Sequence, residues 1–208
     1  TKMAAIASSG ALTNAQGVST AGTESVIGTV YGGVSAGGLY AQIAPGNYTF
    51  SGKIAAVIDQ NLIVSSVTMN IVDGKNYSFY QSGIYDATAK SVEAFVVEDA
   101  FPVNMDWTQA YVRFVNAVSN SNPMTLYAKN TTTLAEVPVG AITAYKGAGA
   151  YTPIPNGVYD LGARESGATT NKMSRLAVSF VAGRVYTIGA RGNILTTSTQ
   201  LLDNTANR

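Results

Sequence analysis

Ile43-Ala-Pro-Gly-Asn-Tyr-Thr-Phe50 and Ile154-Pro-Asn-Gly-Val-Tyr-Asp-Leu161 are two versions of one pattern. Ile43, Gly46 and Tyr48 recur as Ile154, Gly157 and Tyr159, each 111 residues further on. Downstream, Val67, Met69, Ile71, Gly74, Lys75, Tyr77, Phe79 and Gly83 recur as Leu176, Val178, Phe180, Gly183, Arg184, Tyr186, Ile188 and Gly192. The offset there is 109, so one two-residue deletion aligns the copies. Apolar residues fall at every second position, with Thr68 and Asn70 between Val67, Met69 and Ile71. A period of two puts one set of side chains on one face of an extended chain, as in a half-buried β-strand. Pro45-Gly46 carries turn chemistry, because Pro fixes φ and Gly permits positive φ. Asp73-Gly74 reads as a hairpin turn.

On either side of the repeated stretch the chain reads as further short strands. Ile54–Ile58 is an apolar strand closed by Asp59-Gln60-Asn61, and Phe95–Val97 ends the first copy. The second copy opens with Tyr111–Val118, where Val112 and Phe114 alternate with Arg113. It continues through Met124–Ala128 and Val137–Tyr145 and ends with Leu195–Leu202. There Leu201-Leu202-Asp203 aligns with Val96-Val97-Glu98. No segment carries a helical stripe. Many short alternating runs broken by Gly and Pro predict an all-β chain. About seven strands in about 100 residues per copy predict two tandem immunoglobulin-like β-sandwich domains. The expected boundaries are residues 1–100 for the first sandwich, 101–109 for a linker and 110–208 for the second. Residues 1–37 are rich in Ala, Gly, Ser and Thr, with strand candidates at Met3–Ala7 and Val26–Tyr31. They hold too little bulky apolar surface to offset their ordering entropy alone. This leading segment is expected to lie against something, and could be donated as a strand to a neighbour's sheet.

Composition narrows the function. Of 208 residues, 46% are apolar, enough for packed cores, while only 12% are charged and the net charge is +1. A near-neutral chain offers no electrostatic case for nucleic acid, and its weak self-repulsion favours association. There is no cysteine and no histidine. Disulfides, thiol nucleophiles, thiolate or imidazole metal sites and the usual general base near neutral pH are therefore excluded. No apolar run reaches the length of a membrane span. No signal peptide is visible, so an exported protein would be present here in its mature form.

The second copy also carries a family pattern: Tyr111-Val112-Arg113-Phe114-Val115-Asn116-Ala117, then Ile154 to Leu161, then Val181-Ala182-Gly183-Arg184-Val185-Tyr186-Thr187. It resembles a bacterial family known only as domain of unknown function number 4397. Ile43 to Phe50 and Val72-Asp-Gly-Lys-Asn-Tyr-Ser78 fit the same pattern in the first copy. The resemblance implies exported, often tandem, immunoglobulin-like sandwiches, and it implies no catalytic residues.

The candidate residues are mostly structural. Gly46, Tyr48, Gly74, Tyr77, Gly157, Tyr159, Gly183 and Tyr186 form the repeated turn-plus-strand framework. Tyr48 and Tyr159 are expected to be core aromatics whose hydroxyls cap a turn, with an exposed stacking platform as the alternative. Glu98, Asp99 and Asp106 form an acidic cluster. Adjacent strand residues point to opposite faces, so Glu98 and Asp99 are badly placed as a glycosidase pair. A solvated linker is expected there, with a calcium site as the other option. Asn47, Asn76 and Asn130 stand in glycosylation-acceptor tripeptides. Trp107 is expected to pack a domain junction, or to anchor a partner. Without histidine there is no Ser-His-Asp triad. The expectation is a non-enzymatic structural protein of the cell surface or extracellular space, without cofactor or metal. Its partners would be copies of itself, joined through β-edges and apolar faces into a filament, tube or layer. The alternative is a surface module binding glycans or acting as an adhesin through Tyr and Asn side chains, 12 tyrosines standing against six phenylalanines.

Overall fold

The computed structural model describes residues 2–7 (as backbone only), 30–33, 40 and 42–207. Among the described residues there are thirteen strands and no helix. The chain divides into two units, Thr1–Asp99 and Ala100–Arg208.

The first unit holds β1 (Lys2–Ala7), β2 (Gly46–Lys53), β3 (Ile63–Ile71), β4 (Tyr77–Asp86) and β5 (Ser91–Glu98). Strands β1-β2-β3 form one antiparallel sheet and β4-β5 a hairpin. Tyr48 and Ile71 are buried, with Ile43, Phe50, Met69 and Tyr77 packed around them. Strand β1 pairs with this chain's own β2, Ala7 opposite Tyr48. Residues 2–7 thus pair within their own unit in the single chain. The predicted strand at Val26–Tyr31 lies mostly outside the described residues, as does most of the leading segment.

The second unit holds β6 (Gln109–Asn116), β7 (Met124–Asn130), β8 (Glu136–Thr143), β9 (Thr152–Pro155), β10 (Gly157–Glu165), β11 (Met173–Phe180), β12 (Val185–Asn193) and β13 (Thr196–Ala206). They form two four-stranded sheets, β11-β10-β7-β8 and β13-β12-β6-β9. Phe114 and Ile188 of one sheet and Leu126, Leu161 and Phe180 of the other belong to one buried cluster, so the unit is a β-sandwich. Each such side chain contributes about 1.5–3 kcal/mol by leaving water. Its strand order departs from the constant-type immunoglobulin arrangement. The first strand, β6, runs parallel to the seventh, β12, and the second and third share a sheet.

The ladder registers carry the sequence repeat. Gly46 sits opposite Ile71 and Tyr48 opposite Met69. Gly157 sits opposite Phe180 and Tyr159 opposite Val178. All six residues of the first unit's apolar cluster have their 111- or 109-offset counterparts (Ile154, Tyr159, Leu161, Val178, Phe180 and Tyr186) in the second unit's core.

Four expectations change. Asp73-Gly74 is not a hairpin turn. It joins β3 to β4, which lie in different sheets, and the same holds for Gly183 between β11 and β12. Ile54–Ile58 is not a strand. Ile54 N–H donates to Leu62 O and Asn61 N–H to Ile54 O, closing a loop with Asp59 and Asn61 at positive φ that leaves Val57 and Ile58 exposed. Strand β6 is buried on both faces rather than one, because Tyr151 covers Arg113, with the guanidinium carbon 4.8 Å from the ring centre. Tyr77 faces Glu98 as Tyr186 faces Ala206, which shifts the expected match of Leu201-Leu202-Asp203 to Val96-Val97-Glu98.

Candidate functional site

The repeated tyrosines are spent on the turns. Tyr48 Oη donates to Ala44 O and Tyr159 Oη to Pro155 O, both at 2.8 Å and both four residues back. Both rings are buried, which removes them as stacking platforms. Tyr77 and Tyr186 tie down the crossings between sheets. Val72 N–H donates to Tyr77 Oη at 3.4 Å, and Val181 N–H to Tyr186 Oη at 3.1 Å. Gly74 and Gly183 sit in those crossings at φ +72° and +73°, where a side chain would be strained. Gly46 and Gly157 open strands β2 and β10.

The acidic residues do not act as one group. Glu98 pairs with Lys75 at 2.8 Å. Asp99 is 1% exposed and accepts the hydroxyls of Tyr40 at 2.5 Å and Ser78 at 2.7 Å, so it is a structural acceptor rather than part of a solvated linker. Asp106 belongs to the second unit. Its Oδ1 accepts the Thr108 hydroxyl at 2.7 Å and the Thr108 N–H at 2.9 Å. Those donors hold its carboxyl below the ordinary value. Among the described residues no group of three or more Asp or Glu is placed to hold a metal ion.

Asn47 is exposed on β2, and Asn76 precedes β4, its carbonyl accepting Asp99 N–H. Asn130 Oδ1 accepts Thr132 and Thr133 N–H, which closes the β7–β8 turn.

Two features carry more than the repeat demands. One is Trp107, with 74% of its surface exposed. Its Cε3 lies 3.0 Å from where a Cβ would stand on Gly183, so the indole edge rests on that turn. The other is the treatment of the sandwich edges. Strand β9 has four residues, two of them Pro153 and Pro155. Pro138 removes a donor from β8. In β11 the register breaks opposite Tyr159–Leu161, Ala177 has φ +55°, and its N–H is taken by Asp160 Oδ1 at 2.9 Å. At β13, Arg175 Nη1 takes Leu202 O at 2.8 Å. Short strands, prolines, bulges and charges are the devices that stop edge-to-edge pairing. Pro153 and Pro155 were legible in the sequence, whereas Asp160 and Arg175 gave no local signal, since each works on a strand other than its own.

No curated protein matches the sequence. Among solved structures, a "putative cell adhesion protein" of Bacteroides ovatus is similar at 10% identity and a TM-score of 0.29, over 100% of this chain and 85% of that one. A protein of the same description from Bacteroides fragilis gives 10% identity and 0.29, over 100% and 84%. Scores of that size carry no argument about this chain. The family comparison is firmer: residues 110–208, nearly the whole second unit, match the family described as Domain of unknown function (DUF4397).

Proposed function

We propose that the protein is a non-enzymatic module of an exported surface that acts by binding a ligand rather than by polymerising through its strand edges. The observation that carries this is edge closure: all four edge strands of the second unit carry a device against strand addition. A sandwich that grew into a filament by β-pairing would leave an edge open. A further point supports the module. The low charge fits the surface location implied by the family resemblance. The matched registers and matched core residues support taking the two units as copies of one domain.

The test is the mass of the purified chain in solution, with negative-stain imaging, followed by saturation binding to immobilised glycans and matrix proteins. A dispersed species of 21.6 kDa that binds saturably to one class is expected. Regular filaments, tubes or sheets at the same concentration would refute the module and restore the structural polymer.

A further inference from the structure

We propose that Trp107 and Asp106 form a carbohydrate-binding platform on the second unit, an assignment that rests on the binding-module function above. The fold does not call for the indole. Gly74 makes the same crossing as Gly183 at almost the same φ and has nothing within 4 Å of its Cβ position, whereas Gly183 has Trp107 laid over it. The turn keeps its shape without a ring on it, which leaves the exposed indole open to contact a ligand.

The ring stands on a pinned loop. Asp106 N–H donates to Tyr111 Oη at 2.7 Å, and Thr108 closes on Asp106 Oδ1 through both its N–H and its hydroxyl. Gln109 N–H donates to Asp106 O at 3.0 Å, and Gly183 N–H to Gln109 O at 2.8 Å. A side chain held on such a loop loses little freedom when a ligand arrives, so more of the contact energy appears as affinity.

The chemistry beside the ring selects the ligand. Asp106 spends Oδ1 on Thr108, while Oδ2 meets no donor among the described residues. Asn104, Asp106 and Thr108 are all exposed in the same loop as the indole. An aromatic surface takes the C–H face of a sugar ring, and an ionised carboxylate and an amide in the same loop offer acceptors and donors to its hydroxyls. An apolar peptide would instead leave Asp106 buried and unpaired, which is costly. An organic cation is the other ligand for a carboxylate beside an indole, but it is held best in a cage of several rings, and Trp107 stands as the only tryptophan in the chain.

That single tryptophan makes the site its own reporter. The full chain is titrated with cellohexaose, maltohexaose, chitohexaose and tetramethylammonium while indole emission is followed, and the same protein is applied to a printed glycan array. A saturable emission shift with at least one oligosaccharide is expected. Trp107→Ala should weaken retention of that glycan by about tenfold or more, as for a central aromatic anchor. Asp106→Asn should weaken it by a smaller factor, and Trp107→Phe, which keeps a ring, should retain part of it. Circular dichroism checks that each variant is folded. If wild type and Trp107→Ala retain the same glycan equally, the platform is refuted while the binding module stands. If no glycan is retained and no sugar shifts the emission, or if only tetramethylammonium does, the carbohydrate assignment is refuted.

Discussion

Gly74 and Gly183 offer a matched pair of substitutions. Both lie in the left-handed region, at φ +72° and +73°, in equivalent crossings between sheets. Gly74→Ala adds a methyl group that meets nothing within 4 Å, so its cost is backbone strain alone, about 1–2 kcal/mol. Gly183→Ala carries the same strain and in addition sets a methyl 3.0 Å from Trp107 Cε3 and 3.6 Å from Cζ3. The indole must lift by a few tenths of an ångström, and being exposed it can do so. The added cost therefore falls below the roughly 1–3 kcal/mol of overpacking a closed core. Urea unfolding separates the two units, because only the second contains tryptophan. Indole emission follows that unit, and the remaining far-ultraviolet dichroism follows the first. With a denaturant slope of about 1–3 kcal/mol/M for small domains, each substitution moves its own unit's midpoint down by about 0.3–2 M. Gly183→Ala should also shift the emission of the folded protein, and Gly74→Ala should leave it unchanged. An unaltered emission in Gly183→Ala would show that the indole does not rest on the turn, and the platform geometry would fall with it.

Tyr159→Phe removes the hydroxyl bonded to Pro155 O and should cost the second unit about 0.5–1.5 kcal/mol. Tyr48→Phe should cost the first unit the same amount, measured by the same unfolding curves. Phe180→Ala opens a cavity between the rings of Tyr159 and Tyr186, 5.7 and 5.0 Å away, and should destabilise the second unit by about 3–5 kcal/mol. Arg175→Ala frees Leu202 O on β13, and sedimentation velocity should then show concentration-dependent association that wild type lacks. Asp106 supplies a pH dependence. Its folded carboxyl titrates below the ordinary value of 3.8, so its contribution is complete above that value and is lost as pH falls through the lowered folded one. The Asp106→Asn variant should lack this acid-side loss when midpoints are compared between pH 5 and pH 2.

Strands were legible wherever a side chain's fate depended on its near neighbours. The alternation of Val67, Met69 and Ile71 placed β3, and the Gly-x-Tyr spacing placed the start of β2 and β10 with the tyrosine turned inward. What failed depends on distant partners. Asp73-Gly74 has the residues of a tight turn whether the next strand pairs with the last or crosses to the other sheet, so local chemistry could not tell a hairpin from a crossing. Val57 and Ile58 extend an apolar run that looks like a strand, but Asp59 and Asn61 at positive φ turn the chain before a ladder can form. Arg113 alternates with Val112 and Phe114 as an outward residue would. It is buried because Tyr151, far along the chain, covers that face and Thr187 accepts its Nε–H at 3.0 Å. For Trp107 the sequence left a domain junction and a partner anchor open, and the structure adds that the ring is exposed and rests on the Gly183 turn.

Edge closure and the exposed indole bear on each other. A chain with 12% charged residues and a net charge of +1 has little electrostatic protection against sticking to its own copies. In the second unit that protection comes from geometry: prolines on β8 and β9, a broken register on β11, and a guanidinium over β13. Only Asp160 and Arg175 in this set are charged, and each caps a specific backbone group rather than raising the overall repulsion. Such closure keeps separate molecules apart while leaving the surface neutral, a useful condition for a protein that meets a neutral ligand. On a strongly charged surface the single indole at Trp107 would be one attraction among many long-range ones. On this surface it and its neighbouring carboxylate set an exposed ring next to an exposed charge. The salt dependence of binding follows: uncharged glycans should bind almost equally at about 0.05 and 0.5 M salt, since little charge is screened. A steep loss of affinity over that range would show that charge steering, and not the ring, governs recognition.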